Sequence, residues 1–294
     1  AMTSATLTDP APPTTPPVNP APRRISATVW ALPPVVIIVV IAVYPLIRML
    51  AESAGGQGQS TWSAVLGSEV FLRSLGTTAW IAVASTIGCV VLGTFLSVVL
   101  AFVPFPGSRL VARMIDTVLA LPSFLITLAF TFLYGSAGAV NSAIAAITGE
   151  RPLHFLTTPW GVILAEITFF TPFVVRPLLA SFAVMSTDQL NVAASLGASP
   201  LRVLRSVILP EAWPALAAGG SLVLLLTLNE FGIVAFTGAK DVTTLPVLIY
   251  TRGIVTFDLP GAAVIATVQV ALSLLLYGAY RLLFARVTTR REKI

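Results

Sequence analysis

The sequence predicts an all-α membrane protein with six transmembrane helices, and three observations predict it. Of 294 residues, 56% are hydrophobic and only 10% are charged. With a mean hydropathy of +0.93, the chain is too apolar for a fold that must wrap a core in water. Six apolar runs are each long enough to cross a hydrocarbon layer about 30 Å thick. Between them, basic residues gather in alternate connections, the asymmetry that orients membrane helices. The net charge of +5 and pI near 9.9 therefore bear on topology and not on nucleic acid, since no aromatic residues are interleaved with basic clusters. The single Cys89 leaves no disulfide within the chain and no Cys-based metal site.

Residues 1–26 are rich in Pro, Thr and Ala and end on Arg23 and Arg24. Such a segment cannot bury a core and is expected to be a disordered tail. It has no short apolar region followed by a small-residue cleavage site, so it does not read as a signal peptide. Residues 27–294 form one six-span domain. The first span, about 29–49, reaches roughly 32 Å at 1.5 Å per residue. A polar connection holding Gly55, Gly56 and Gly58 leads to the second, about 75–103, closed by Pro104 and Pro106. Arg109 and Arg113 mark a basic turn before the third, about 114–134. The fourth span, about 159–183, can kink at Pro172 and Pro177. The fifth covers about 212–237 and the sixth about 259–285. With the N-terminus inside, the cytoplasmic segments collect Arg23, Arg24, Arg109, Arg113, Arg202, Arg205, Arg290, Arg291 and Lys293. The outer connections keep Arg48, Arg73, Arg151, Lys240 and Arg252 among as many acids, so both termini are expected in the cytoplasm. No internal repeat is visible.

One polar, basic stretch lies between two long apolar runs: Ser186–Pro210, STDQLNVAASLGASPLRVLRSVILP. Ser186 with Gln189 three residues on predicts a capping box opening a first helix. Gly197 suits the left-handed position that ends it. Ser199 then offers a second N-cap with Pro200 at the first helical position. Leu201, Leu204 and Ile208 share one face of this second helix, Arg202 and Arg205 look elsewhere, and Pro210 is expected to stop it. The product is a helical elbow in which Ala193, Ala194 and Gly197 permit close approach of another surface.

On these residues the stretch resembles the cytoplasmic loop of permease subunits of ATP-binding-cassette importers. That pattern runs Glu-Ala-Ala, three residues, Gly, nine residues, an aliphatic, any residue, Leu-Pro. Ala193, Gly197, Val207, Leu209 and Pro210 fit it, while Asn191 and Val192 stand in place of the Glu and the first Ala. The resemblance implies a type I importer permease-like fold whose elbow is a coupling helix. It would dock on an ATPase subunit through Asn191, Ala193, Ala194, Gly197, Ala198, Ser199, Pro200, Leu201, Leu204, Leu209 and Pro210, without the salt bridge a Glu at Asn191 would make. An elbow lying on lipid headgroups is the alternative. Further on, Asn229–Val234, Phe236–Lys240 and Thr244–Tyr250 are similar to permeases for 2-aminoethylphosphonate, with related sulfate, ferric-iron and polyamine permeases sharing part of the pattern. The resemblance implies two ATPase subunits using ATP and Mg, a second permease subunit, identical or homologous, and an extracytoplasmic solute-binding protein. The setting would be a bacterial plasma (inner) membrane. The chain itself has no Gly-x-x-x-x-Gly-Lys phosphate loop and no catalytic or metal-ligand constellation, so it is expected to be no enzyme and to bind no cofactor or metal of its own.

Charged groups within spans cost roughly 2.5–3.5 kcal/mol each on insertion scales and therefore face a partner or water. Glu230, with Asn229 beside it, and Glu166 are candidates for the translocation path; the alternative is that they brace helices through hydrogen bonds. Asp116 lies near the inner start of the third span. Arg176, between two prolines, is expected to donate to the carbonyls they free. His154 stands alone in an outer connection and reads as a loop residue. Trp30, Trp62, Trp80, Trp160 and Trp213 mostly flank spans, as interfacial anchors do. Two other functions stay open: an ion-coupled carrier relaying protons through Glu230 or Glu166, and a membrane-embedded enzyme, against which the lack of a catalytic cluster weighs.

Overall fold

The computed structural model describes residues 27–55, 61–240 and 242–291. The expected tail of 1–26, together with Gly56, Gly58, Asp241, Glu292 and Lys293, lies outside them. Helices come in the order α1 (Ala27–Ser53), α2 (Thr61–Leu66), α3 (Glu69–Phe102), α4 (Ser108–Val118), α5 (Ser123–Tyr134), α6 (Ala139–Thr148), α7 (Pro159–Phe170) and α8 (Pro172–Ala183). They continue with α9 (Thr187–Ser195), α10 (Pro200–Val203), α11 (Leu209–Leu228), α12 (Gly232–Thr237), α13 (Leu245–Tyr250) and α14 (Leu259–Arg291). Among the described residues there is no strand. Six stretches are long and apolar enough to cross a membrane: Ala31–Ser53, Glu69–Phe102, Ser123–Thr148, Pro159–Ala183, Pro200–Leu228 and Leu259–Tyr280. The chain divides into two units, 1–47 and 48–294. The first holds most of α1, a helix that carries Pro33, Pro34 and Pro45 within it.

In the second unit, α3, α7, α8 and α11 pack around Ile81, Cys89, Val162, Val174, Leu178 and Val223, all almost fully buried. Without a hydrophobic drive inside lipid, such helices associate through close van der Waals fit, which small residues permit. A Cβ added at Gly93 of α3 would lie 2.8 Å from Val174 Cβ, and one added at Gly219 of α11 would lie 3.1 Å from Phe173 O and Val174 Cα. The two glycines thus set how closely α3 and α11 approach α8. A smaller cluster of Val65, Phe71, Leu245, Leu248, Val264 and Ile265 fastens α2, α13 and α14 to the Glu69 end of α3.

Local backbone chemistry explains where the elements depart from the sequence expectations. The third span is not one helix over 114–134. α4 ends at Val118, and Pro122, extended at φ −61° and ψ 140°, precedes a fresh start at Ser123. The fifth span breaks too: α11 ends at Leu228, Asn229–Phe231 are not helical, and α12 begins at Gly232. Pro210 stops nothing. A wide turn over Leu204–Ile208, in which the Leu209 N–H reaches back five residues to Leu204 O, carries α10 straight into α11. The wider turn relieves the clash of the proline ring with the carbonyl four residues back and absorbs its missing N–H. Arg176 does not serve the carbonyls near its prolines. Its Nε lies 2.6 Å from Asp116 Oδ1, and a carboxylate neutralises the guanidinium where a carbonyl would not. This pair ties α4 to α8.

Gly93→Leu is expected to destabilise the purified chain by about 1–3 kcal/mol through overpacking against Val174. Gly76→Leu, whose Cβ would meet nothing within 4 Å, should leave the thermal midpoint unchanged. Equal midpoints for the two variants would contradict the α3–α8 contact.

Candidate functional site

The elbow between α8 and α11 is built by end-capping. The Ser186 hydroxyl accepts from the Asp188 N–H at 3.3 Å, so the cap forms at the second helical residue of α9 and not at Gln189. Gly197 takes φ +76°, and Ala198 N–H donates to Ala193 O at 3.1 Å, the six-residue closure typical of a left-handed helix end. Ser199 is extended at φ −64° and ψ 153° ahead of Pro200, the first residue of α10. Its carbonyl, and not its hydroxyl, starts the helix by accepting from Arg202 at 2.9 Å and Val203 at 3.0 Å.

Of the candidate docking residues, Asn191, Gly197, Ser199, Pro200, Leu201 and Pro210 are exposed, while Ala193, Ala198 and Leu209 are half-buried. The side chain of Ala194 lies outside the described residues. Leu204 and Ile208 turn inward and pack on the core with Leu190 and Val203. Between the elbow and the Phe102 end of α3 is an apolar cleft of about 590 Å³, walled by Val98, Phe102, Leu190, Leu201, Leu204 and Ile208. The elbow also exposes Val192, at 59%, Leu196, at 82%, and Leu201, at 55%. Sequence reasoning passes over the first two; the available signal was a leucine placed directly before a helix-ending glycine.

The second candidate is the break between α11 and α12. Asn229 Nδ2 donates to Leu225 O at 2.7 Å and to Ser273 Oγ at 3.2 Å. Gln269 Nε2 donates to Leu228 O at 2.7 Å and to Asn229 Oδ1 at 3.2 Å. Glu230 Oε1 accepts from the Ile233 N–H at 2.8 Å and from Ser123 Oγ at 3.0 Å, so one carboxylate caps α12 and holds the start of α5. Side chains thus satisfy backbone groups that the break removes from the helix ladder. Asn229 is exposed and Glu230 half-buried. The structure brings these two together with Ser123, Gln269 and Ser273, which the sequence reading did not single out; an amide inside the apolar sixth span was the signal. Glu166 is different. It is fully enclosed in α7, with neither carboxyl oxygen in a well-formed hydrogen bond. Cys89 is equally enclosed, its Sγ 3.7 Å from Ile167 O. His154 is exposed in its connection.

Comparison with known proteins agrees with this geometry. The sequence pattern of the family described as "Binding-protein-dependent transport system inner membrane component" matches residues 90–289. A Salmonella typhimurium protein, provisionally named 2-aminoethylphosphonate transport system permease protein PhnU, is 47% identical over 267 residues, covering 89% of this chain and 93% of that protein. The sulfate transport system permease protein CysT of the same organism is 29% identical over 261 residues, 87% of this chain and 90% of its own length. In three dimensions, a chain from the crystal structure of a bacterial ABC transporter involved in alginate import superposes with a TM-score of 0.79 at 19% identity, over 90% of this chain and 97% of that one. A chain of the MetNI methionine ABC transporter superposes at 0.55 over 75% of this chain. Six apolar spans with a helical elbow between α8 and α11, a matching family pattern over two thirds of the sequence and a relative at nearly half identity converge: the chain belongs to the family of binding-protein-dependent transport system inner membrane components, with the fold of a type I ABC importer permease.

Proposed function

We propose that this permease serves an ATP-driven importer whose cargo is a phosphonate such as 2-aminoethylphosphonate. The observation that carries the cargo is the 47% identity to the PhnU protein over nearly nine tenths of the chain. Sulfate, favoured by the 29% identity to CysT, is the second reading. The elbow and both termini face the cytoplasm, where Arg109, Arg113, Arg202 and Arg205 gather. Two ATPase subunits, which bind ATP and Mg, dock on the elbows of two permeases, and a solute-binding protein delivers cargo at the opposite end. Apolar side chains held out on a polar elbow support this docking, since Val192, Leu196 and Leu201 gain by being covered.

Asn229 and Glu230 face the translocation path in this reading: an exposed amide where α11 breaks is costly against lipid and suited to water. Glu166, enclosed between α3 and α7, acts as a brace within the bundle, and would reach the path only if that contact opened.

Radiolabelled 2-aminoethylphosphonate should accumulate in cells carrying the chain with its ATPase and binding protein, and an ATPase-dead partner should abolish uptake. Uptake driven by a proton gradient without any ATPase would restore the ion-coupled carrier. Gly197→Asp should insert and fold normally, because the new side chain meets open space and left-handed strain costs only about 1–2 kcal/mol. Its uptake should nevertheless fall at least tenfold; parental uptake would count against docking at the elbow. Glu230→Gln keeps an acceptor for Ile233 N–H and Ser123 Oγ, so thermal stability should hold while uptake drops several-fold. Unchanged uptake would remove the Glu230 charge from the path.

A further inference from the structure

At the end of α3 opposite the elbow is a cavity of about 200 Å³ lined by Val70, Arg73, Ser74, Thr77 and Thr243. An arginine, a serine and two threonines thus line a small space between the first turns of α3 and the segment leading into α13. Ser74 is only 1% exposed, yet its Oγ has no hydrogen-bond partner. Other helical hydroxyls, such as Thr78, Ser97 and Thr131, donate to the carbonyl four residues back at 2.7–2.9 Å. Ser74 forgoes that bond, as Thr86 and Thr94 do further along α3, but of the three only Ser74 lines this cavity. Thr244, next to the cavity wall, is also buried with an unpartnered hydroxyl. A buried hydroxyl left unpaired costs about 1–3 kcal/mol, a cost that an occupant offering acceptors would remove.

Among the described residues Arg73 has one ion pair, to Glu69 Oε1 one turn back at 2.5 Å, with both side chains about four-fifths exposed. Such pairs contribute about 0–1 kcal/mol, so the guanidinium can leave this partner at little cost.

We propose that this cavity is a receiving site for a tetrahedral oxyanion, and specifically for the phosphonate group of the cargo. The phosphonate identity rests on the cargo reading above; the oxyanion chemistry does not. Arg73 supplies the charge-assisted bonds, and the hydroxyls of Ser74, Thr77 and Thr243 donate to the remaining oxygens. When Arg73 turns to the oxyanion, Glu69 is released as a carboxylate at the rim, free to take the ammonium of an aminophosphonate. A surface ion pair thereby opens to a zwitterion of matching charges, with no net charge gained or lost.

The test titrates methylphosphonate and 2-aminoethylphosphonate against the intact transporter in lipid nanodiscs, without its solute-binding protein, by calorimetry. Arg73 is exposed, so Arg73→Gln should fold as the parent does yet bind methylphosphonate about 10- to 100-fold more weakly, the loss of one charged hydrogen-bonding partner. Ser74→Ala and Thr77→Val should each weaken it several-fold. Glu69→Gln should leave methylphosphonate binding intact while removing any preference for the aminated compound. No saturable binding by the parent, or parental affinity in both Arg73→Gln and Ser74→Ala, overturns the site. Uptake of 2-aminoethylphosphonate by the complete system is read alongside. Intact uptake without binding at the cavity overturns this inference and leaves the cargo reading standing. Methylphosphonate binding that depends on Arg73 in a system that does not import 2-aminoethylphosphonate supports the site and overturns the cargo.

Discussion

Hydrocarbon offers a backbone no hydrogen bonds, so a membrane helix that breaks must be sealed by its own protein, and the second unit is arranged around that constraint. Where α11 gives way at Asn229–Phe231, the seal comes from three directions: Asn229 folds back on Leu225 O, Gln269 reaches Leu228 O from α14, and Glu230 caps α12 while holding Ser123. At Pro210 the seal is a change of pitch, with the five-residue reach from Leu209 to Leu204 keeping the helical path unbroken. Asn229, Glu230 and Gln269 are therefore placed where the backbone is irregular, whereas Glu166 lies within the regular helix α7.

The break and the elbow are connected through one element. α10, the wide turn and α11 form a continuous helical path from Pro200 to Leu228, and the break follows directly. Close packing of Gly219 against α8 and of Gly93 against Val174 couples that path to its neighbours, because interiors packed this tightly transmit displacement with little loss. In the proposed reading, a force applied at Gly197 by a docked ATPase would be delivered along α11 to Asn229 and Glu230. A helix stopped at Pro210 would have put a flexible joint between motor and path. The Arg176–Asp116 pair plays a similar part for α4, tying an amphipathic helix that buries none of its residues to the span beside it.

Much of this was open to reading in the chain. Six spans, the elbow, the left-handed Gly197 and the Pro200 start follow from hydropathy, end-capping and proline chemistry, all of which act within a few residues. The breaks at Leu119–Pro122 and Asn229–Phe231 were not, because an apolar run long enough to span gives no notice that its backbone is interrupted. Nor was the fate of Arg176: Pro172 and Pro177 argue for local carbonyls, and only the fold brings in Asp116 from 60 positions earlier.

By itself the sequence determined the class of the protein, since partition of apolar residues into lipid and the capping of helix ends depend on composition and near neighbours alone. Only the tertiary structure decided which polar residues meet. Ser123 with Glu230 and Gln269 with Asn229 are separated by tens to more than a hundred residues, and their contacts follow from how closely the helices pack.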